Sequence, residues 1–157
     1  MVHKIPLLRI RVCLLGVSFL SLSGGMFMYA LFRNSDLLIF DWFGFLRGMN
    51  SVYVPVGSSP ALLFIVNSLP GGLWFLAGIL FLRSIWLTNK KWRRIYVFLF
   101  CLAAVFLETA QLFEQVPGTF DFFDMLCFGT FALLEGVFYT IFIAKEIKNY
   151  EQKMASA

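Results

Sequence analysis

A chain of 157 residues that is 60% hydrophobic, 14% charged and carries 20 Phe is too apolar for a soluble domain. A helix needs roughly 20 mostly apolar residues to cross the hydrocarbon core, so the length allows four or five spans and no separate soluble domain. The net charge of +4 is small, and its distribution along the chain calls for no nucleic-acid partner.

The first predicted span covers residues 12–32 and is preceded by Lys4, Arg9 and Arg11. A cleavable signal peptide is the competing reading. The run is long for one and no small-x-small site follows it, so an uncleaved span is expected. Residues 36–49 (DLLIFDWFGFLRGM) are aromatic but broken by three charges, which predicts a segment lying in the membrane interface.

Residues 48–82 then contain no charge at all. One reading is a single span from Pro60 kinked at Pro70-Gly71-Gly72. The other is a short re-entrant or interfacial piece over 60–68 with the span proper at 69–87, since Gly-Gly after Pro is a poor helix interior and a good helix start. The third span is predicted at 95–113 and the fourth at 122–144, joined by a tight turn at Pro117-Gly118 with Asp121 capping the fourth helix. The expected fold is therefore an all-α membrane protein, a single domain over residues 1–157 with four transmembrane helices (about 12–32, 60–87, 95–113 and 122–144) in one bundle.

Orientation follows the basic residues. Eleven of the 13 Lys and Arg lie at the N-terminus, between spans two and three, or in the C-terminal tail, leaving Arg33 and Arg47 for the other side. Both termini are expected to be cytoplasmic, with an attraction to anionic inner-leaflet lipid. ETAQLFEQVPGTFDFFD (residues 108–124) then forms the outward hairpin, and topology with capping accounts for Glu114 and Asp121.

Glu108 and Gln111 share a helix face with Ala104 and Cys101. Asp121, Asp124, Phe128, Ala132 and Glu135 follow three- and four-residue steps and share another. A short hairpin makes the two helices antiparallel neighbours, so Glu108, Gln111 and Asp124 are expected to converge. Ionisable groups inside spans usually face the bundle interior and are functional; the competing reading is a polar clasp that closes the hairpin. Glu135 is the costliest residue, at roughly 2.5–3.5 kcal/mol if charged near the bilayer centre. It is expected to be neutral interhelical glue, with Tyr139 and Ser18 or Ser21 as partners. Cys13, Cys101 and Cys127 show no disulfide or metal-ligand spacing and His3 stands alone, so no metal or cofactor is expected. SLSGGMF (21–27) echoes SLPGGLW (68–74), which hints at an inverted repeat.

Glu108-x-x-Gln111, the Pro117-Gly118 turn, and Asp121 and Asp124 opening the next span resemble the VanZ-like family of small bacterial membrane proteins. The family's turn Arg is absent, with Thr119 in its place, and Phe128 stands where its Asn is found. The resemblance covers about 25 residues and implies a multi-pass protein of the bacterial plasma (inner) membrane, linked to resistance to the glycopeptide antibiotic teicoplanin. It supplies a context and no reaction.

The leading expectation is a protein without chemistry of its own, with Glu108, Gln111, Asp121 and Asp124 as an outward-facing pocket rimmed by Phe113, Phe120, Phe122 and Phe123. Such a site suits an amphiphilic or lipid-linked ligand. The alternatives are a membrane enzyme using Glu108 and Asp124 as an acid/base pair, and a scaffold subunit of a membrane complex or homo-oligomer.

Overall fold

The computed structural model describes residues 5–32, 59–116 and 120–155. Every regular element among them is helical: α1 (Ile5–Phe32), α2 (Pro60–Asn67), α3 (Leu69–Ile85), α4 (Lys90–Leu112), α5 (Phe122–Phe138), a π-helical turn (Tyr139–Ile143) and α6 (Ala144–Ala155). Three stretches are long and apolar enough to cross a membrane, Leu7–Phe32, Lys90–Leu112 and Phe122–Tyr150. The pair α2 and α3 makes a fourth only if counted as one span bent by 46°. The expected interfacial segment at 36–49 and the turn at Pro117-Gly118 lie outside the described residues.

Three helix boundaries differ from those expected. α1 begins at Ile5, α4 begins at Lys90, and the last span continues without a break past Ala144. The expected limits followed charge, but Lys and Arg are good helix formers, so charge marks the membrane edge and not the end of the helix. The starts themselves are local chemistry. Ser59 Oγ accepts the Leu62 N–H, Asn89 Oδ1 accepts the Trp92 N–H at 3.2 Å, and Asp121 Oδ1 accepts the Phe123 N–H at 2.8 Å. The expected cap at Asp121 is thus present.

The bend between α2 and α3 falls at Ser68. Pro70 has no N–H to offer the Val66 carbonyl, so the ladder is interrupted there and the axis turns. At the far end of α4, Glu114 adopts φ 56°, while its N–H bonds to Gln111 O and the Gln115 N–H bonds to Ala110 O. This is a left-handed helix stop formed without the usual glycine.

α3 is the hub against which α1, α4 and α5 pack, and α4 and α5 meet each other much less. Antiparallel neighbours joined by a short hairpin thus share a third helix more than each other. α1 runs antiparallel to α3: Gly25 faces Pro70 and Trp74, and the Ser18 hydroxyl donates to Ala77 O at 2.8 Å. α5 runs parallel to α3, with Gly72 against Cys127 and Phe131, and Arg83 beside Glu135. The two glycine motifs that echo each other in sequence therefore face each other across this antiparallel contact.

The bundle has two chemically distinct ends. At the hairpin end lie Ser68, Glu108 and Asp121. At the basic end, Leu14, Leu80, Leu87, Tyr139, Ile143 and Ile147 form one core cluster, so residues near both termini lie beside the end of α3. The π turn inserts an extra residue after Phe138 and rephases the helix so that Ile143 and Ile147 join this core. Outward faces are apolar along their length, with Phe98, Leu102, Phe106, Leu133 and Leu134 all exposed. Backbone bonded within helices and apolar side chains facing out are the marks of a helical protein whose surrounding solvent is lipid.

Candidate functional site

At the hairpin end, four elements bring polar groups together. Glu108 on α4 is 6% exposed, and its Oε1 accepts the backbone N–H of Asp121 at 3.0 Å. Asp121 divides its carboxylate between the start of α5 and the hub. Oδ1 caps the Phe123 N–H, and Oδ2 receives the Ser68 hydroxyl at 3.4 Å. Ser68 is fully buried at the α2–α3 bend, where its carbonyl also receives the Gly72 N–H. Asp124, one turn into α5, has a buried Oδ1 placed 4.0 Å from where a Cβ on Gly71 would stand.

Three of the four expected site residues, Glu108, Asp121 and Asp124, therefore lie at one junction. The direct partner of Glu108 is the Asp121 backbone. Gln111 lies on the same half-buried face. The rim is more open than expected: Phe113, Phe122 and Phe123 are all exposed, and Phe123 meets Phe64 of α2 edge-on at 5.9 Å. The expected helix faces hold, with Cys101, Ala104 and Glu108 turned inward while Leu102, Phe106 and Leu107 point out. Sequence reasoning missed Ser68 as a member. Its signal was the Ser-Leu-Pro-Gly-Gly run, a helix start whose cap would fall at the depth of Asp121.

The second cluster is at the basic end. Glu135 is 5% exposed and forms an ion pair with Arg83 of α3, Nε to Oε1 2.5 Å. The Arg83 guanidinium lies over the Tyr139 ring at 4.1 Å and that of Arg93 over the same ring at 4.8 Å. Arg93 also donates to the carbonyls of Leu87 and Trp86, closing the end of α3. The expected serine partner of Glu135 is corrected: Arg83 lies against its carboxyl group, and the Ser18 hydroxyl donates to Ala77 O instead. Tyr139 does belong to this cluster, as a ring that both guanidinium groups contact. Counting Arg83 as a loop charge hid the pair. Glu135 is fourteen residues after Asp121 and Arg83 fifteen after Ser68, each about 21–23 Å along parallel helices at 1.5 Å per residue. That is beyond the middle of the span, toward the basic end.

Beside this cluster Trp86 stacks on Tyr96 and both rings meet Trp92 at a tilt, with ring centroids 5.3–6.2 Å apart. Among the described residues no three His, Cys, Asp or Glu side chains gather closely enough to hold a metal ion. Comparison with protein-family models, with curated proteins and with solved structures gives no match.

Proposed function

We propose that this chain is a four-span bacterial plasma-membrane protein of the VanZ-like kind, with both termini cytoplasmic and no catalytic chemistry of its own. Its Glu108, Gln111, Asp121 and Asp124 form an outward-facing site for the polar head of an amphiphile. The supporting observation is the Ser68–Asp121–Glu108 network, which joins α4, α5 and the α2–α3 bend through buried polar atoms. A bent helix with polar groups at its break is a recurring way to hold a ligand in a membrane. The clustered Trp86, Trp92 and Tyr96 beside Lys90, Lys91 and Arg94 suit an inner interface, which supports an outer position for the acids.

Acid/base catalysis by Glu108 and Asp124 has less support. Glu108 Oε1 already holds the Asp121 N–H that starts α5, and proton transfer would compete with that bond. The same bonds favour the clasp as the second reading.

Titrating the full chain in lipid nanodiscs with teicoplanin separates the readings. Asp124→Asn is expected to weaken binding about tenfold, the equivalent of one charge-assisted hydrogen bond. Glu108→Gln keeps an oxygen for the Asp121 N–H and is expected to leave the melting temperature unchanged. Teicoplanin stripped of its acyl chain is expected to bind far more weakly than the intact drug. Equal affinity of wild type, Asp124→Asn and Gln111→Ala, with loss of stability alone, would leave the network as a clasp.

A further inference from the structure

A lateral groove of about 600 Å³ lies between α1, α3 and the end of α5. Leu80 of the hub forms its floor, Cys13 and Val17 one wall, Leu134 and Phe138 the other. Its volume is that of a ligand pocket. Glu135 is part of the lining, but its carboxylate is turned to Arg83 and is almost wholly buried. The charges a guest would meet are Arg9 on α1 and Glu146 on α6, both exposed and both at the basic end.

Those two charges stand at headgroup depth. Leu7 and Ile10 pack against the core cluster that contains Leu87, which places Arg9 level with the end of α3 and its belt of Trp86, Trp92 and Tyr96. From Arg9 to Val17 the groove continues into the hydrocarbon for about 12 Å at 1.5 Å per residue. It is thus an apolar slot open to lipid with one cation and one anion at a single end. An anionic headgroup satisfies only Arg9, and a cationic one only Glu146. A zwitterion satisfies both.

We propose that the groove seats one acyl chain of an aminophospholipid, with its phosphate against Arg9 and its primary ammonium against Glu146. An ammonium donates hydrogen bonds to the carboxylate, whereas a choline headgroup has no N–H to give and a glycerol headgroup has no cation. This site is separate from the hairpin acids, and the inference shares with the proposed function only the chain's residence in a bilayer.

Native mass spectrometry of the full chain in detergent, titrated with dioleoyl phosphatidylethanolamine, phosphatidylcholine or phosphatidylglycerol, tests it. Phosphatidylethanolamine is expected to bind about tenfold tighter than the other two. Val17→Trp fills the slot and is expected to cut that binding at least tenfold, while Leu133→Trp, on a surface 71% exposed, leaves it unchanged. Glu146→Gln is expected to erase the preference over phosphatidylcholine, and Arg9→Gln to weaken binding of all three about fivefold. Cys13 reports on the unsubstituted protein, since phosphatidylethanolamine is expected to slow its reaction with a maleimide. Equal binding of the three lipids, equal effects of Val17→Trp and Leu133→Trp, or unprotected Cys13 would overturn the proposal. So would a dimer that Val17→Trp splits into monomers, because a second copy would then occupy the groove.

Discussion

Glu135→Leu is expected to destabilise the protein by about 3 kcal/mol or more, and adding Arg83→Met is expected to restore most of that loss. The reason lies in what each change leaves behind. Arg83 Nε is 2.5 Å from Glu135 Oε1, and both side chains are largely buried. Removing the carboxylate strands a guanidinium among apolar residues, and the cost of breaking a buried pair is about 3–5 kcal/mol. The Arg93 guanidinium also lies over the Tyr139 ring, at 4.8 Å, so the lost anion leaves two cations at one ring. Removing both partners exchanges the ion pair for apolar contacts, a replacement that is often neutral or stabilising. Reversible unfolding in mixed detergent–lipid micelles measures all four proteins of the cycle. A double variant as unstable as Glu135→Leu alone would show that Arg83 is not what Glu135 neutralises.

The second large effect is expected at Gly25, where Val should cost about 3 kcal/mol by overpacking. A Cβ there would stand 2.6 Å from the Trp74 indole and 2.9 Å from the Pro70 carbonyl oxygen. The indole can rotate, although its stacking on Tyr29 at 5.1 Å resists this, but the carbonyl belongs to the first turn of α3 and cannot move aside. α1 would have to withdraw from its main partner. Small residues at such crossings let helices approach closely where lipid offers no hydrophobic drive to association. Gly129 is the control, because a Cβ there meets nothing within 4 Å. In the same micelle assay Gly129→Ala is expected to cause no loss. If Gly25→Val were equally harmless, α1 would not approach α3 as closely as the geometry requires.

Hydrophobic runs and basic clusters were enough to read the helical class, the approximate long helices and the inward faces of α4 and α5. The Asp121 cap was legible because capping is a local event. Partner choice was not, because it depends on which helix is central. The short hairpin made α4 and α5 look like each other's main neighbours, yet Gly72 and Gly78 let Phe131 and Phe100 close on α3 from its two sides. That central position makes Arg83 the partner of Glu135 and carries Ser68 to Asp121. The groove beside α1 was equally hidden, since Arg9 and Glu146 are 137 residues apart and meet one space only through packing.

Whether the acids at Glu108, Asp121 and Asp124 face outward from a four-span bundle is tested most directly by cysteine accessibility in intact bacterial cells. On a background lacking Cys13, Cys101 and Cys127, single cysteines introduced by Asn50→Cys, Lys90→Cys and Gly118→Cys are treated with a membrane-impermeant maleimide. Asn50→Cys and Gly118→Cys are expected to react from outside, and Lys90→Cys only after the membrane is permeabilised. Reaction of Lys90→Cys alone would turn the acids to the cytoplasm, and reaction of Lys90→Cys together with Gly118→Cys would remove α4 as a span. Either result would contradict an outward-facing acid site.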